Sequence, residues 1–377
     1  MSPTCPHCFR GYSLRETPFR CANCAFEVDA VYAREWGDSH PRPRILRPGP
    51  RLFAANGLAC DRCKRTASVR VCPHCHEELP PRRDSDRDRV IAIVGSVGAG
   101  KSHYITAVVE RLIQIGPGLG FTCFAATDTT RKRFAEEFER PIAAGLAIAA
   151  TSTATHVSAT VRQPLIFTLD PSRESDGRMR CSMHLIFFDM AGEDIGSIDR
   201  LSLIGRYLLG AAGILVIVDP QQLDGVRRRR PAAGLLPSDP ATRHVLPRVT
   251  QLLRSATGAR GPLDIPLAVV LSKLDTILDL LGPWSSLHHA ADHGRFPDSD
   301  YGHNVDSELR AHLREWGDEW LLHGVASDYP RARFFAVSAL GGAPQKGRLL
   351  HAPLPRRIED PILWVMQQDG VLREGRR

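Results

Sequence analysis

The chain has 377 residues, which at roughly 150 residues per domain leaves room for two or three domains. Apolar residues make up 43% and charged residues 24%, ordinary globular usage that excludes a mostly disordered or collagen-like chain. Lys and Arg total 49 against 42 acids, a formal charge of +7. Residues 1–89 carry 16 of the bases, 11 of the acids and eight of the ten cysteines. If those cysteines bind two zinc ions as thiolates, each site carries about −2 and the local excess of five falls to about one. Charge therefore gives little support to a nucleic-acid partner. The longest apolar runs, such as 211–218, are far short of the roughly 20 residues of a membrane span. The opening MSPTCPHCFR has no basic start leading into an apolar run, so a cytoplasmic location is expected.

The cysteines come first in chain order. Cys5-x2-Cys8 is followed after twelve residues by Cys21-x2-Cys24, and Cys60-x2-Cys63 after eight by Cys72-x2-Cys75. Two intervening residues let both sulfurs of a tight knuckle face one ion, and two knuckles close a tetrahedral zinc site. The spacing predicts one site from Cys5, Cys8, Cys21 and Cys24 and another from Cys60, Cys63, Cys72 and Cys75. His7, His74 and His76 are read as bystanders, and the unpaired Cys123 and Cys181 as core residues. So short a segment buries little apolar surface, so metal is expected to hold it together. Aromatic residues interleaved with bases are sparse, which favours protein docking over a nucleic-acid platform. A charged, proline-started stretch, 81–89, reads as a linker.

Residues 90–95 (VIAIVG) form a buried-strand pattern that runs into GSVGAGKS, Gly95–Ser102, and then into a helical stretch. This is the phosphate-binding G-x4-G-K-S loop in its required strand–loop–helix context. Gly95, Ser96, Val97, Gly98, Ala99 and Gly100 would aim backbone N–H groups at phosphate oxygens, Lys101 would bridge the outer phosphates, and Ser102 would ligate Mg²⁺. Three later segments follow apolar strands. The run HLIFFD ends in Asp189-Met190-Ala191-Gly192, where Asp189 would hold Mg²⁺ through water and Gly192 would sense the γ-phosphate. The strand 267–271 ends in Ser272-Lys273-Leu274-Asp275, where Asp275 can accept from both N–H groups of a guanine edge. Residues 333–337 lead to Ser338-Ala339-Leu340, where the Ala339 amide would donate to guanine O6.

These motifs, in this order, resemble a TRAFAC-clade (Ras-like) P-loop GTPase over residues 90–375. The CxxC modules, HLIFFDMAGED and AAGILVIVDPQQ are similar to the second type of double-GTPase domain proteins of bacterial conflict systems. The resemblance implies GTP or GDP with Mg²⁺, slow hydrolysis and a partner protein, which could be an activator or a second GTPase. Ser272 stands where the family usually has Asn, so weaker guanine affinity is expected. Glu193 stands where small GTPases carry a water-orienting Gln. Thr151 is favoured as the switch threonine on Mg²⁺, with Ser152, Thr153, Thr155 and Thr160 competing. The run Arg227–Arg230 is read as a solvated loop, with an arginine finger in cis or a docking patch as the sharper alternatives.

The expected architecture is α/β, a doubly wound, mostly parallel sheet preceded by two zinc-ribbon-like modules. Its divisions are ribbon one at 1–35, a Pro-rich linker at 36–58, ribbon two at 59–80, the charged linker at 81–89 and the GTPase domain at 90–377. Strands are expected near 90–95, 163–169, 184–189, 213–219, 267–271 and 333–338, and helices near 101–115, 197–209, 242–256, 304–323 and 358–369. Phe121–Ala125 and Thr129–Pro141 would add a strand and a helix before the first switch. The reading is a GTP-hydrolysing switch whose zinc modules dock a partner; the alternatives are a nucleotide-gated nucleic-acid-binding protein and a P-loop ATPase.

Overall fold

The computed structural model describes residues 3–49, 57–81, 87–148, 164–172, 181–187, 205–230, 239, 241–289 and 299–372. In the C-terminal part, seven strands form one sheet: β1 (Arg87–Gly95), β2 (Phe121–Ala125), β3 (Leu165–Pro171), β4 (Met183–Phe187), β5 (Ala211–Val218), β6 (Leu267–Leu271) and β7 (Ala332–Ala336), in the order β7-β6-β5-β1-β4-β3-β2. The five strands β4, β1, β5, β6 and β7 run parallel, and β3 lies antiparallel to both β4 and β2. The expected doubly wound sheet is present, with an antiparallel edge built partly by the added strand Phe121–Ala125.

The helices that cover it are α1 (Lys101–Leu119), α2 (Ala241–Thr257), α3 (Ser299–Trp316), α4 (Glu319–Asp328) and α5 (Asp360–Gln368). Alternation along the strands sends side chains to two cores. Val90, Ala92 and Val94 of β1 join Val245, Leu309 and Leu322 of α2, α3 and α4. Ile91 and Ile93 join Tyr104, Ile105 and Val108 of α1 and Ile362 and Met366 of α5. Both faces are thus buried, as continuous apolar runs in parallel strands require. One expected helix, 304–323, is two. Gly317 adopts φ +80° and donates its N–H to Arg314 O at 3.0 Å, closing α3 in a left-handed cap before α4 begins.

The N-terminal part has the two cysteine clusters expected of zinc-ribbon-like modules, but groups their ligands differently. Cys5, Cys8, Cys72 and Cys75 form one tetrad, and Cys21, Cys24, Cys60 and Cys63 the other. The pairing is nested, not sequential, and it corrects the grouping by neighbouring knuckles. Its cause is the antiparallel pairing of Phe19–Arg20 with Val69–Arg70, in which Phe19 faces Arg70 and Arg20 faces Val69. Antiparallel strands bring the chain before Phe19 to the chain after Arg70, so the outermost knuckles meet at one end. The inner knuckles meet at the other. Ile45–Leu46, inside the expected linker 36–58, is the third strand of this sheet. Of the expected linker 81–89, residues 82–86 lie outside the described residues and 87–89 belong to β1.

This module packs on the sheet. Phe9, in the knuckle after Cys8, lies 5.3 Å from Tyr207, ring to ring. The Tyr207 hydroxyl accepts from Ile93 N at 3.1 Å and donates to Ile91 O at 3.2 Å. Arg10 donates to both oxygens of Glu35 at 2.9 Å, and Arg206 stands 3.7 Å from the same carboxylate. Among the described residues no helix is long and apolar enough to cross a membrane.

Nesting has a direct test by metal analysis of the full-length protein. Cys8→Ser with Cys72→Ser should remove one zinc site and leave the other, since both ligands serve one tetrad. Cys8→Ser with Cys24→Ser should remove both. Sequential pairing requires the reverse.

Candidate functional site

The phosphate-binding loop follows β1 without a break. Gly95 is held so close to β5 that a Cβ would stand 2.6 Å from Ile217 O. Gly98 and Gly100 take φ +72° and +90°, with nothing within 4 Å of an added Cβ; here the backbone conformation, not crowding, requires glycine. Ser96 and Ala99 are buried, and Ser96 Oγ is 3.0 Å from Thr242 Oγ1. Lys101 is only 8% exposed, and its Nζ donates to Gly95 O and Ser96 O, both at 2.9 Å. The ammonium therefore sits inside the loop that opens α1, beside the positive end of a helix: a cradle with the shape and charge for an anion. Ser102 lies one residue on, partly buried.

The base-side motifs sit at the carboxyl ends of β6 and β7. The Ser272 hydroxyl donates to Ala99 O at 2.8 Å and lies 3.2 Å from Val218 O. Having one hydrogen, it favours the shorter contact. Ser272 thus ties the base loop to the phosphate loop. Asp275 accepts from the Ser338 hydroxyl, which in turn accepts from Gly341 N at 2.9 Å. One carboxylate oxygen is thereby oriented by the next motif. Leu274 N donates to Val337 O at 2.9 Å, locking the two loops in register. Ala339 is partly buried against the core beneath.

The structure brings together Gly95, Ser96, Val97, Gly98, Ala99, Gly100, Lys101, Ser102, Ser272, Lys273, Asp275, Ser338 and Ala339 at one end of the parallel sheet, where ligands of such sheets bind. Thr151, Asp189, Gly192 and Glu193 lie outside the described residues. The arginine run is not a free loop: Asp224–Arg228 is helical and the run is tied to its neighbours. Arg228 donates to Trp316 O at 2.9 Å and Arg229 to Glu315 O at 2.8 Å, bracing the end of α3, and Arg230 bonds Thr276 O and Asp279. Asp219, which follows β5, lies outside the four motifs, yet its Oδ2 is 2.6 Å from Lys273 Nζ. The signal was present, an acid ending a buried apolar strand.

The metal tetrads can be tested against the chemistry of zinc. Four thiolates at about 2.3 Å from one ion stand about 3.8 Å apart. Cys5–Cys75 and Cys8–Cys72 are 3.7 Å apart, Cys21–Cys63 3.5 Å and Cys24–Cys60 3.4 Å. These separations fit a shared ion and are far beyond the roughly 2.05 Å of a disulfide. His7 N and His74 N point at Cys5 Sγ and Cys72 Sγ, at 3.4 and 3.3 Å. Burial pushes the Cys5 and Cys75 thiols up, so they ionise only with a cation to compensate. Main-chain N–H groups of Cys63 and Arg62 help to draw Cys60 down to about 6. The residues fit zinc, and His7, His74 and His76 stay outside both tetrads.

A phosphate loop opening α1 on the central strand, with two base-side loops locked beyond it, defines a P-loop GTPase. The chain belongs to the Double-GTPase 2 family, whose sequence model matches residues 89–324. Over 98% of its length it is 29% identical to 99% of a Mycolicibacterium smegmatis protein provisionally named ESX-1 scaffolding and assembly protein SaeC. Solved structures resemble it distantly. The nucleotide-bound small GTPase Arl6 of Trypanosoma brucei is 13% identical with a TM-score of 0.30, covering 76% of this chain and all of its own. Era of Aquifex aeolicus, bound to GDP and aluminium fluoride, is 12% identical with a TM-score of 0.31, covering 77% and 58%.

Two substitutions probe the base side. Asp275→Asn should weaken GTP binding by roughly 2–4 kcal/mol and raise relative affinity for xanthine nucleotide, because a charge-assisted acceptor becomes a mispaired donor. Ser338→Ala, which removes the hydroxyl that orients Asp275 and accepts from Gly341 N, should cost about 1 kcal/mol for GTP and GDP alike. Titration calorimetry reads both.

Proposed function

We propose that this protein is a slow GTP-hydrolysing switch that works through protein partners. The observation that carries the reading is the Asp275 carboxylate, oriented by Ser338 beyond a lysine-filled phosphate loop. A carboxylate so held matches the paired N–H donors of guanine, which adenine does not present. Gly95–Ser102 would bind the phosphates, Lys273 and Asp275 the base, and the Ala339 amide guanine O6. Ser272 supports both loops from beneath. Ser102 would hold Mg²⁺ with Asp189 and Thr151, and Mg²⁺ would offset charge developing on the phosphates. Lys101 would stabilise that charge, the Gly192 amide would sense the γ-phosphate, and Glu193 would orient the attacking water.

A partner role draws support from the relative that matches end to end and is named for scaffolding and assembly. We read this chain likewise as a GTP-controlled assembly factor, with the conflict-system setting suggested by the family resemblance as the second reading. The nucleic-acid alternative loses support because bases of the metal module are engaged: Arg44 with Asp61, Arg10 with Glu35, Arg20 with His76 O, and Arg42 on the Tyr32 ring.

Competition binding should show GTP and GDP displacing ATP; preference for ATP makes the chain a P-loop ATPase instead. Intrinsic turnover is expected far below about 1 s⁻¹, rising on the order of 10³-fold with a partner or second protomer that supplies an arginine. Lys101→Ala should abolish nucleotide-dependent behaviour, while Glu193→Ala should lower the stimulated rate and spare binding. Fast turnover by the isolated chain, unchanged in Glu193→Ala, would refute the role given to that residue.

A further inference from the structure

We propose that Asp219 is a positioning residue for base recognition: it holds the Lys273 ammonium so that the lysine stem forms one wall of the guanine slot. The inference rests on the guanine reading above and extends it to a residue outside the four motifs.

Lys273 adopts φ +49°, a left-handed conformation uncommon for a residue with a Cβ. Such a backbone persists only where its surroundings hold it. The side chain reaches back to β5, where its Nζ meets Asp219 Oδ2 at 2.6 Å. The lysine side chain is 29% exposed and the aspartate 3%. A carboxylate this buried needs a cation, and the lysine is the charged partner it has here. Its other oxygen accepts from Gln221 N at 2.9 Å, capping the turn Pro220–Gln222, so the carboxylate cannot swing away. The frame behind the pair is rigid too. Ser272 N donates to Val218 O at 2.9 Å, which fixes the residue before Lys273 against the residue before Asp219.

An unanchored lysine carries up to about 2 kcal/mol of rotamer entropy, which binding would have to overcome. Anchoring the ammonium in the free protein removes part of that cost, leaving the methylene stem as a preformed apolar surface. Contact between that stem and a purine face is indifferent to which groups the base edge carries. Asp219 should therefore affect affinity for any base that Asp275, or its Asn substitute, accepts.

The test is GDP titration of the full-length, zinc-loaded protein. Asp219→Asn keeps an acceptor for Gln221 N–H while removing the charge, so it preserves the cap and breaks only the ion pair. Asp219→Asn and Asp219→Ala should each weaken GDP binding about tenfold, as should Lys273→Ala. Asp219→Ala on top of Lys273→Ala should add less than twofold, because the two act through one stem. In an Asp275→Asn background, Asp219→Asn should lower affinity for xanthosine diphosphate by the same factor, since the stem is indifferent to the base edge; the non-additivity with Lys273→Ala is the readout that a merely structural role would not give. Asp219→Asn within twofold of the wild type, or a double variant weakened by the product of its singles, would overturn the proposal while leaving the guanine reading intact. A wild type that prefers ADP to GDP would overturn both.

Discussion

One hydrogen bond sets the geometry of the nucleotide site, that from the Ser272 hydroxyl to the Ala99 carbonyl. The phosphate loop grows out of β1 and the base loop out of β6, with β5 between them. Nothing in the chain order obliges the two loops to keep a constant separation, yet a nucleotide has a fixed span between phosphate and base. A buried hydroxyl on one loop and a buried carbonyl on the other supply the constraint. Leaving that carbonyl unpaired would cost about 1–3 kcal/mol. This gives the serine in the usual asparagine position a physical role: a short side chain still reaches the loop, though it gives up the second polar group that an amide carries.

The metal module joins the same frame from the opposite direction. Phe9 is positioned by its knuckle, where it takes φ +57° and donates its N–H to Cys5 O at 3.0 Å. Its ring meets Tyr207, whose hydroxyl is bonded to two main-chain groups of β1. The outer tetrad and the strand that feeds the phosphate loop are therefore separated by two aromatic side chains. A metal module docked this way is an integral layer of the fold and not a separate appendage.

The sequence by itself determined much of this. Apolar strands ending in glycine, acid or serine located β1, β4, β5, β6 and β7 within a few residues, and G-x4-G-K-S could be assigned because its spacing is a local requirement of phosphate geometry. Four CxxC pairs announced metal for the same reason: both sulfurs of a knuckle belong to one short turn. What the tertiary structure alone decided is which distant groups meet. Two knuckles of either pairing would make an equally good tetrahedron, so spacing could not separate them. The antiparallel register of Phe19–Arg20 with Val69–Arg70 did. Likewise, Asp219 and Lys273 are 54 residues apart, and the arginine run meets the end of α3 some 86 to 88 residues on. A local motif states which atoms a site requires, whereas the partner that orients them is chosen by strand order and register, which bring together residues that no short-range pattern relates.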